Sequence, residues 1–260
     1  MQDAINQLLP SVTHMMDSSM FEHIVTSDLV LSVLVVLGIL QLTWFSVMFL
    51  RRGMPPESIQ YAIPPLLTIW VLMWPVYVDA RWLWIGMATL MLPPVLSCLL
   101  TSPFWQQLRT AWSTQTIDPE LRMYPVLPLP PMTHFLTALF ITGVWFQHIP
   151  EFGFGLALCL CLAFRSVDLI DQLAVNKFSF LKLGFPAHPE QTLASHLVLI
   201  VMCTILLCWS LHVFHGTDWQ ALLIATLITA LTASATRALV PGQWNAPAAM
   251  LSMGFVMWLL

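Results

Sequence analysis

The residues from 29 to 50 read LVLSVLVVLGILQLTWFSVMFL, an uninterrupted apolar run with no formal charge. Runs of this kind recur along the chain, and they constrain its fold more than any other feature. Apolar stretches of about 20 residues match the roughly 30 Å hydrocarbon core of a bilayer when helical. They show no strict alternation, so they read as helices rather than the strands of a closed barrel. Across the 260 residues, 58% are hydrophobic and 8% charged, against about 25% charged in a soluble domain. The expected fold is an all-α, polytopic integral membrane protein.

Eight candidate spans follow, at about 28–50, 61–78, 81–101, 132–149, 153–174, 193–214, 219–240 and 246–260. The last is short for a full crossing, so the expectation is 7–8 transmembrane helices. Residues 1–26 form an amphipathic lead-in without Lys or Arg, and 27–260 form one membrane domain. The basic residues segregate: Arg51, Arg52, Arg109, Arg122, Lys177, Lys182 and Arg237 fall in alternate connections or at their edges. The opposite connections hold Arg81 with Asp3, Asp17, Glu22, Asp28, Asp79, Glu151 and Asp218. The positive-inside rule then puts the N-terminus outside and the basic connections in the cytoplasm. Multi-pass residence in a bacterial inner membrane is expected. A net charge of −4 without any basic run speaks against a nucleic-acid partner.

Cys98, Cys159, Cys161, Cys203 and Cys208 all lie inside apolar runs without a CxxC pair, and read as packing residues. The twelve tryptophans gather near span ends, as an interfacial belt would. Proline pairs at 64–65 and 93–94 interrupt the second and third spans. The segment SPFWQQLRTAWSTQ, from 102, reads as a short amphipathic helix on the cytoplasmic surface or as a docking element. His212 and His215 are three apart, a spacing that binds metal only with further ligands. His188 and His196 lie on the cytoplasmic side, where a solvated role and a ligand role are both open.

The fifth span ends in the most polar intramembrane feature. After GFGLALCLCLAF comes RSVDLIDQ, which places Arg165, Asp168 and Asp171 three residues apart on one helical face. Ionisable groups at that depth face a protein interior or a wet cavity. Two readings are open: a structural pair in which Arg165 neutralises Asp168, or a polar cavity with a carboxylate placed for a metal or a phosphate donor. One cation does not neutralise two carboxylates. A further polar group is therefore expected beside them, from the loop holding Lys177 and Lys182 or from the span beginning near Thr192.

The order of features resembles the phytol kinase and dolichol (polyprenol) kinase family, itself distantly similar to the membrane CDP-diacylglycerol synthases. The resemblance covers about 50–260. It rests on LRRG followed by YAIPPLLTIWVLMWPVYV, on ELRMYPVLPLPP, on FGLALCLCLAFRSVDLIDQLAVNKF, on EQTLASHLVLI, and on ALTASATRALVPGQWNAPAAML. It implies phosphoryl transfer from a nucleoside triphosphate to an isoprenoid alcohol in the cytoplasmic half of the membrane. Mg²⁺ and CTP are the implied cofactors, and a membrane lipid or isoprenoid alcohol the implied partner. By the same resemblance Asp168 and Asp171 are the catalytic carboxylates, Asp168 the metal ligand, and Arg165, Lys177, Lys182 and Asn245 the nucleotide-facing set.

The chain departs from the family pattern at several of these motifs. Val167 stands before the aspartate where the family has glycine, Gln191 replaces a lysine, and Trp244 precedes Asn245 where the family has aspartate. Phosphoryl transfer depends on charge neutralisation and positioning. The alternative expectation is therefore a catalytically inactive relative, a pseudoenzyme kept as a structural or lipid-binding subunit of a larger membrane complex.

Overall fold

The computed structural model describes residues 18–113, 132–177, 191–216, 218–240 and 242–260. Among them the chain forms only helices. They are α1 (Ser18–Arg51), α2 (Pro56–Leu72), α3 (Leu83–Leu99), α4 (Pro103–Trp112), α5 (Thr133–His148), α6 (Pro150–Leu158), α7 (Arg165–Lys177), α8 (Leu193–His215), α9 (Trp219–Leu239) and α10 (Asn245–Leu259). Short 3-10 turns lie at Trp74–Val76, Ala80–Trp82 and Gly242–Trp244. The protein is thus an all-α, multi-pass membrane protein. Six segments are long and apolar enough to cross a bilayer: Ser27–Arg51, Pro56–Val76, Ala80–Leu99, Pro150–Asp171, Leu193–His215 and Trp219–Leu239. The fourth and eighth expected spans are helices as well, but α5 has 16 residues and α10 has 15. At 1.5 Å per residue each falls short of a full hydrocarbon crossing.

Both short helices are packed against the rest of the protein rather than left to lipid. Phe135, Ala138 and Leu139 of α5 and Ala249, Met250 and Met253 of α10 are fully enclosed. Small residues set the closest approaches, as they do wherever helix backbones pack in lipid. A Cβ on Gly254 of α10 would lie 2.5 Å from the Trp145 ring of α5. One on Gly153 would fall on the backbone of Phe146, where α6 turns back against α5.

The proline pairs do not break their helices: α2 runs through Pro64 and Pro65, and α3 through Pro93 and Pro94. The amphipathic helix expected after residue 102 is present as α4. Its apolar face, Leu108, Ala111 and Trp112, is buried. Trp112 Nε1 donates to Ser46 Oγ of α1 at 2.9 Å, Arg51 Nε donates to Gln107 Oε1 at 2.7 Å, and Gln60 Nε2 donates to the Ser113 carbonyl. So α4 covers the protein's own helices. The surface reading fits only its outer face, where Gln106, Arg109 and Thr110 are exposed.

Polar contacts mark two ends of the bundle. At one end Asp28, nearly inaccessible at 1% exposure, accepts the backbone N–H groups of Val78 and Asp79. At that end also Trp84 donates to Gln147, and His215 meets Glu151 at 3.0 Å. A second polar group joins Arg165, Asp168, Asp171 and Arg237.

Candidate functional site

The fourth long span is one continuous helical path from Pro150 to Lys177, but its middle is not α-helical. Cys159–Phe164 forms a π-helical stretch between α6 and α7. A π turn adds a residue per turn relative to the α spacing, and such turns are found disproportionately at functional sites. Here it ends at Arg165, so it sets the face on which Arg165, Asp168 and Asp171 emerge.

The three residues of that face are brought together as the spacing implies. Arg165 Nη1 lies 3.3 Å from Asp168 Oδ2, one turn on. The Arg165 guanidinium also sits over the Phe135 ring, 5.4 Å from its centroid, a cation–π contact that holds it from the α5 side. The second cation comes from α9. Arg237 Nη2 lies 2.9 Å from Asp168 Oδ1 and 3.0 Å from Asp171 Oδ2. Two guanidinium groups thus balance two carboxylates. Burial falls unequally on the four side chains: Arg237 is 5% exposed and Asp171 12%, while Asp168 keeps 33%.

The start of α8 supplies the remaining donors. Thr192 donates to Asp171 Oδ1 twice, from its backbone nitrogen at 3.1 Å and from Oγ1 at 3.0 Å. The same Oγ1 accepts the Ser195 N–H, so Thr192 is both the N-cap of α8 and a ligand of the carboxylate. The polar group expected near Thr192 is therefore Thr192 itself, joined by Arg237, which the sequence had offered only as a topology marker.

A second chain of hydrogen bonds fixes Arg237 from behind. Gln191 Nε2 donates to the Arg237 carbonyl at 3.2 Å. Gln191 Oε1 faces His196 Nε2 at 2.9 Å and Ser234 Oγ faces His196 Nδ1 at 2.8 Å. An amide oxygen only accepts, so His196 Nε2 carries the proton and, in the neutral ring, Nδ1 accepts from Ser234. His196 is accordingly buried and bonded on both nitrogens, which answers its open role in favour of positioning. Tyr61 on α2 and His134 on α5 lie within Coulombic reach of Arg165.

Of the other expected site residues, only Asn245 has a described side chain. Asn245 opens α10, half-buried, and no described hydrogen bond or ion pair connects it to Arg165, Asp168 or Asp171. Lys177 closes α7. Lys182, His188 and the segment ELRMYPVLPLPP lie outside the described residues. At the other end His212 stacks on Trp219 with centroids 5.0 Å apart, and His215 pairs with Glu151. Among the described residues no group of three or more His, Cys, Asp or Glu side chains could hold a metal ion.

The Mg²⁺ implied at Asp168 does not fit this arrangement. A hard divalent cation needs carboxylate oxygens with charge to spare. Both oxygens of Asp168 face guanidinium nitrogens, and those of Asp171 are taken by Arg237 and Thr192. A metal at Asp168 would have to share that carboxylate with two arginines.

Comparison with protein-family models, with characterised proteins and with solved structures finds no match for this chain.

Proposed function

We propose that this protein is a non-catalytic membrane component, a structural and lipid-binding subunit of a larger membrane assembly, built on an architecture like that of the polyprenol kinases but without their phosphoryl transfer. One observation carries the reading. All four carboxylate oxygens of Asp168 and Asp171 are engaged by Arg165, Arg237 and Thr192, so their charge is already balanced by two guanidinium groups with which a metal-bound nucleotide would have to compete. Phosphoryl transfer without a carboxylate to hold its metal loses the charge neutralisation on which it depends. The same bonds tie α7, α8 and α9 together at the basic end of the bundle, a use that needs no substrate. The residence proposed is the bacterial inner membrane, with the basic end in the cytoplasm.

The test is a phosphoryl-transfer assay on the detergent-purified protein with γ-labelled CTP, Mg²⁺ and a long-chain isoprenoid alcohol. The expected result is no labelled lipid above the protein-free blank. Labelled lipid whose formation Asp168→Asn abolishes would replace this reading with the lipid-alcohol kinase.

A further inference from the structure

Arg237 carries five N–H donors, and its Nη2 serves both aspartates. Its Nε and Nη1 are buried with no hydrogen-bond partner among the described residues. An unpaired donor on a buried cation is the most costly kind of unsatisfied polar group, and such a group calls for an explanation. Arg237 lies where the fourth long span, Pro150–Asp171, reaches its end, the depth at which an apolar helix meets lipid headgroups. Arg165, the second cation, binds the other oxygen of the same Asp168 and is itself partly accessible. Asp168, one-third exposed, is the most accessible of the four side chains, so a ligand reaches the enclosed nitrogens of Arg237 only by a shift on the Asp168 side.

We propose that the free nitrogens of Arg237 hold a phosphate oxyanion, with Arg165 beside it, so that the cluster is a headgroup site and not only a tie between helices. A guanidinium offers planar N–H groups that match phosphate oxygens, and charge-assisted bonds of this kind are about twice as strong as neutral ones. The two aspartates repel an incoming anion, so the bonds from the free guanidinium nitrogens must outweigh that repulsion. The carboxylates also cancel the arginine charges in the empty state, and they hold both guanidinium groups in place for an incoming anion. The Gln191–His196–Ser234 chain fixes the backbone of Arg237 in the same way. The inference rests on the lipid-binding reading of this site. The shared chemistry is a phosphate group, which a phospholipid with a small exposed headgroup or free inorganic phosphate would supply.

The experiment measures thermal unfolding and native mass spectrometry of the full chain in detergent. One arm adds mixed micelles of phosphatidic acid, with phosphatidylcholine micelles as reference, and the other adds inorganic phosphate with matched ionic strength from chloride. The wild type is expected to shift upward in melting temperature with phosphatidic acid and to retain that lipid in the mass spectrum. Arg237→Lys keeps the charge, and so protects the fold, but removes the guanidinium geometry; it should weaken the apparent affinity at least tenfold. Arg81→Gln, at the far end, should bind as wild type. A shift with inorganic phosphate, lost in Arg237→Lys, would support the site with the free ion as its occupant. No shift in either arm, or equal shifts in wild type and Arg237→Lys, would overturn the proposal. Neither of those results touches the phosphoryl-transfer assay, so the headgroup site and the non-catalytic reading fail separately.

Discussion

Arg237 and Asp171 lie 66 residues apart in the chain and 3.0 Å apart in the structure. Between them runs the whole of α8 and most of α9, so one ion pair closes a three-helix unit at the basic end of the bundle. Both side chains are almost fully buried, at 5% and 12% exposure. A pair of this kind is costly to desolvate, and its value is felt most when one partner is removed.

Removing only the charge of Asp168 should cost less than removing that of Asp171. Asp168 is one-third exposed, so solvent screens the change and Arg165 remains free to turn toward water. Asp168→Asn is expected to destabilise by about 1–2 kcal/mol and Asp171→Asn by about 3–5 kcal/mol. Urea or thermal unfolding in detergent checks the order.

Thr192→Val should remove two bonds at once, the side-chain donor to Asp171 and the N-cap acceptor of the Ser195 N–H. The expected loss is about 1–2 kcal/mol, the backbone bond from Thr192 to Asp171 being retained. Thr192→Ser keeps both hydroxyl roles and should recover most of that loss. Equal melting temperatures for the valine variant and the wild type would contradict the double role.

Two glycine substitutions should separate packing from helix propensity. Gly153→Ala places a methyl group against the Phe146 backbone, which has no flexible end to move aside, and should destabilise by about 1–3 kcal/mol or more. Gly38→Ala meets nothing within 4 Å on α1 and should be neutral or slightly stabilising. Thermal unfolding of the two variants side by side reads the difference.

Sidedness is checked by thiol labelling of intact cells, in a background whose five native cysteines have been replaced. Single cysteines at the exposed positions Arg52 and Arg109 should be shielded from an impermeant reagent added outside, and cysteines at Arg81 and Asp218 should react. Reaction at both basic positions from outside would invert the orientation. Arg237 is unsuitable for this test because it is buried.

How far the site could be read from the sequence follows from distance along the chain. Arg165, Asp168 and Asp171 are legible because a helix places residues three apart side by side. Charge arithmetic calls for a further polar group, from the loop holding Lys177 and Lys182 or from the span beginning near Thr192, and the second of these is where Thr192 donates to Asp171. Arg237 is not legible in this way, because the contact that brings it in depends on how α9 packs on α7. The one local signal is a lone arginine at the end of the small-residue run TALTASATRAL, where lipid would leave it unpaired. The π turn before Arg165 had no such signal: CLCLAF is as apolar as any α-helical stretch around it. The two short helices were legible as apolar runs. That they pack inside the protein shows only in the glycine and methionine faces of α10 and in the tight turn from α5 to α6.

The most direct test of the account is a double-mutant cycle on Asp171 and Arg237, using Asp171→Leu, Arg237→Met and the pair, followed by equilibrium unfolding in mixed micelles. If the carboxylates exist to balance the arginines, each single change strands a buried charge, and the pair removes the charge together with its partner. The predicted outcome is strong non-additivity, with the double variant more stable than the sum of the single losses by about 2 kcal/mol or more. Losses that add to within about 0.5 kcal/mol would contradict the account, since they would mean that Asp171 is held for something other than Arg237.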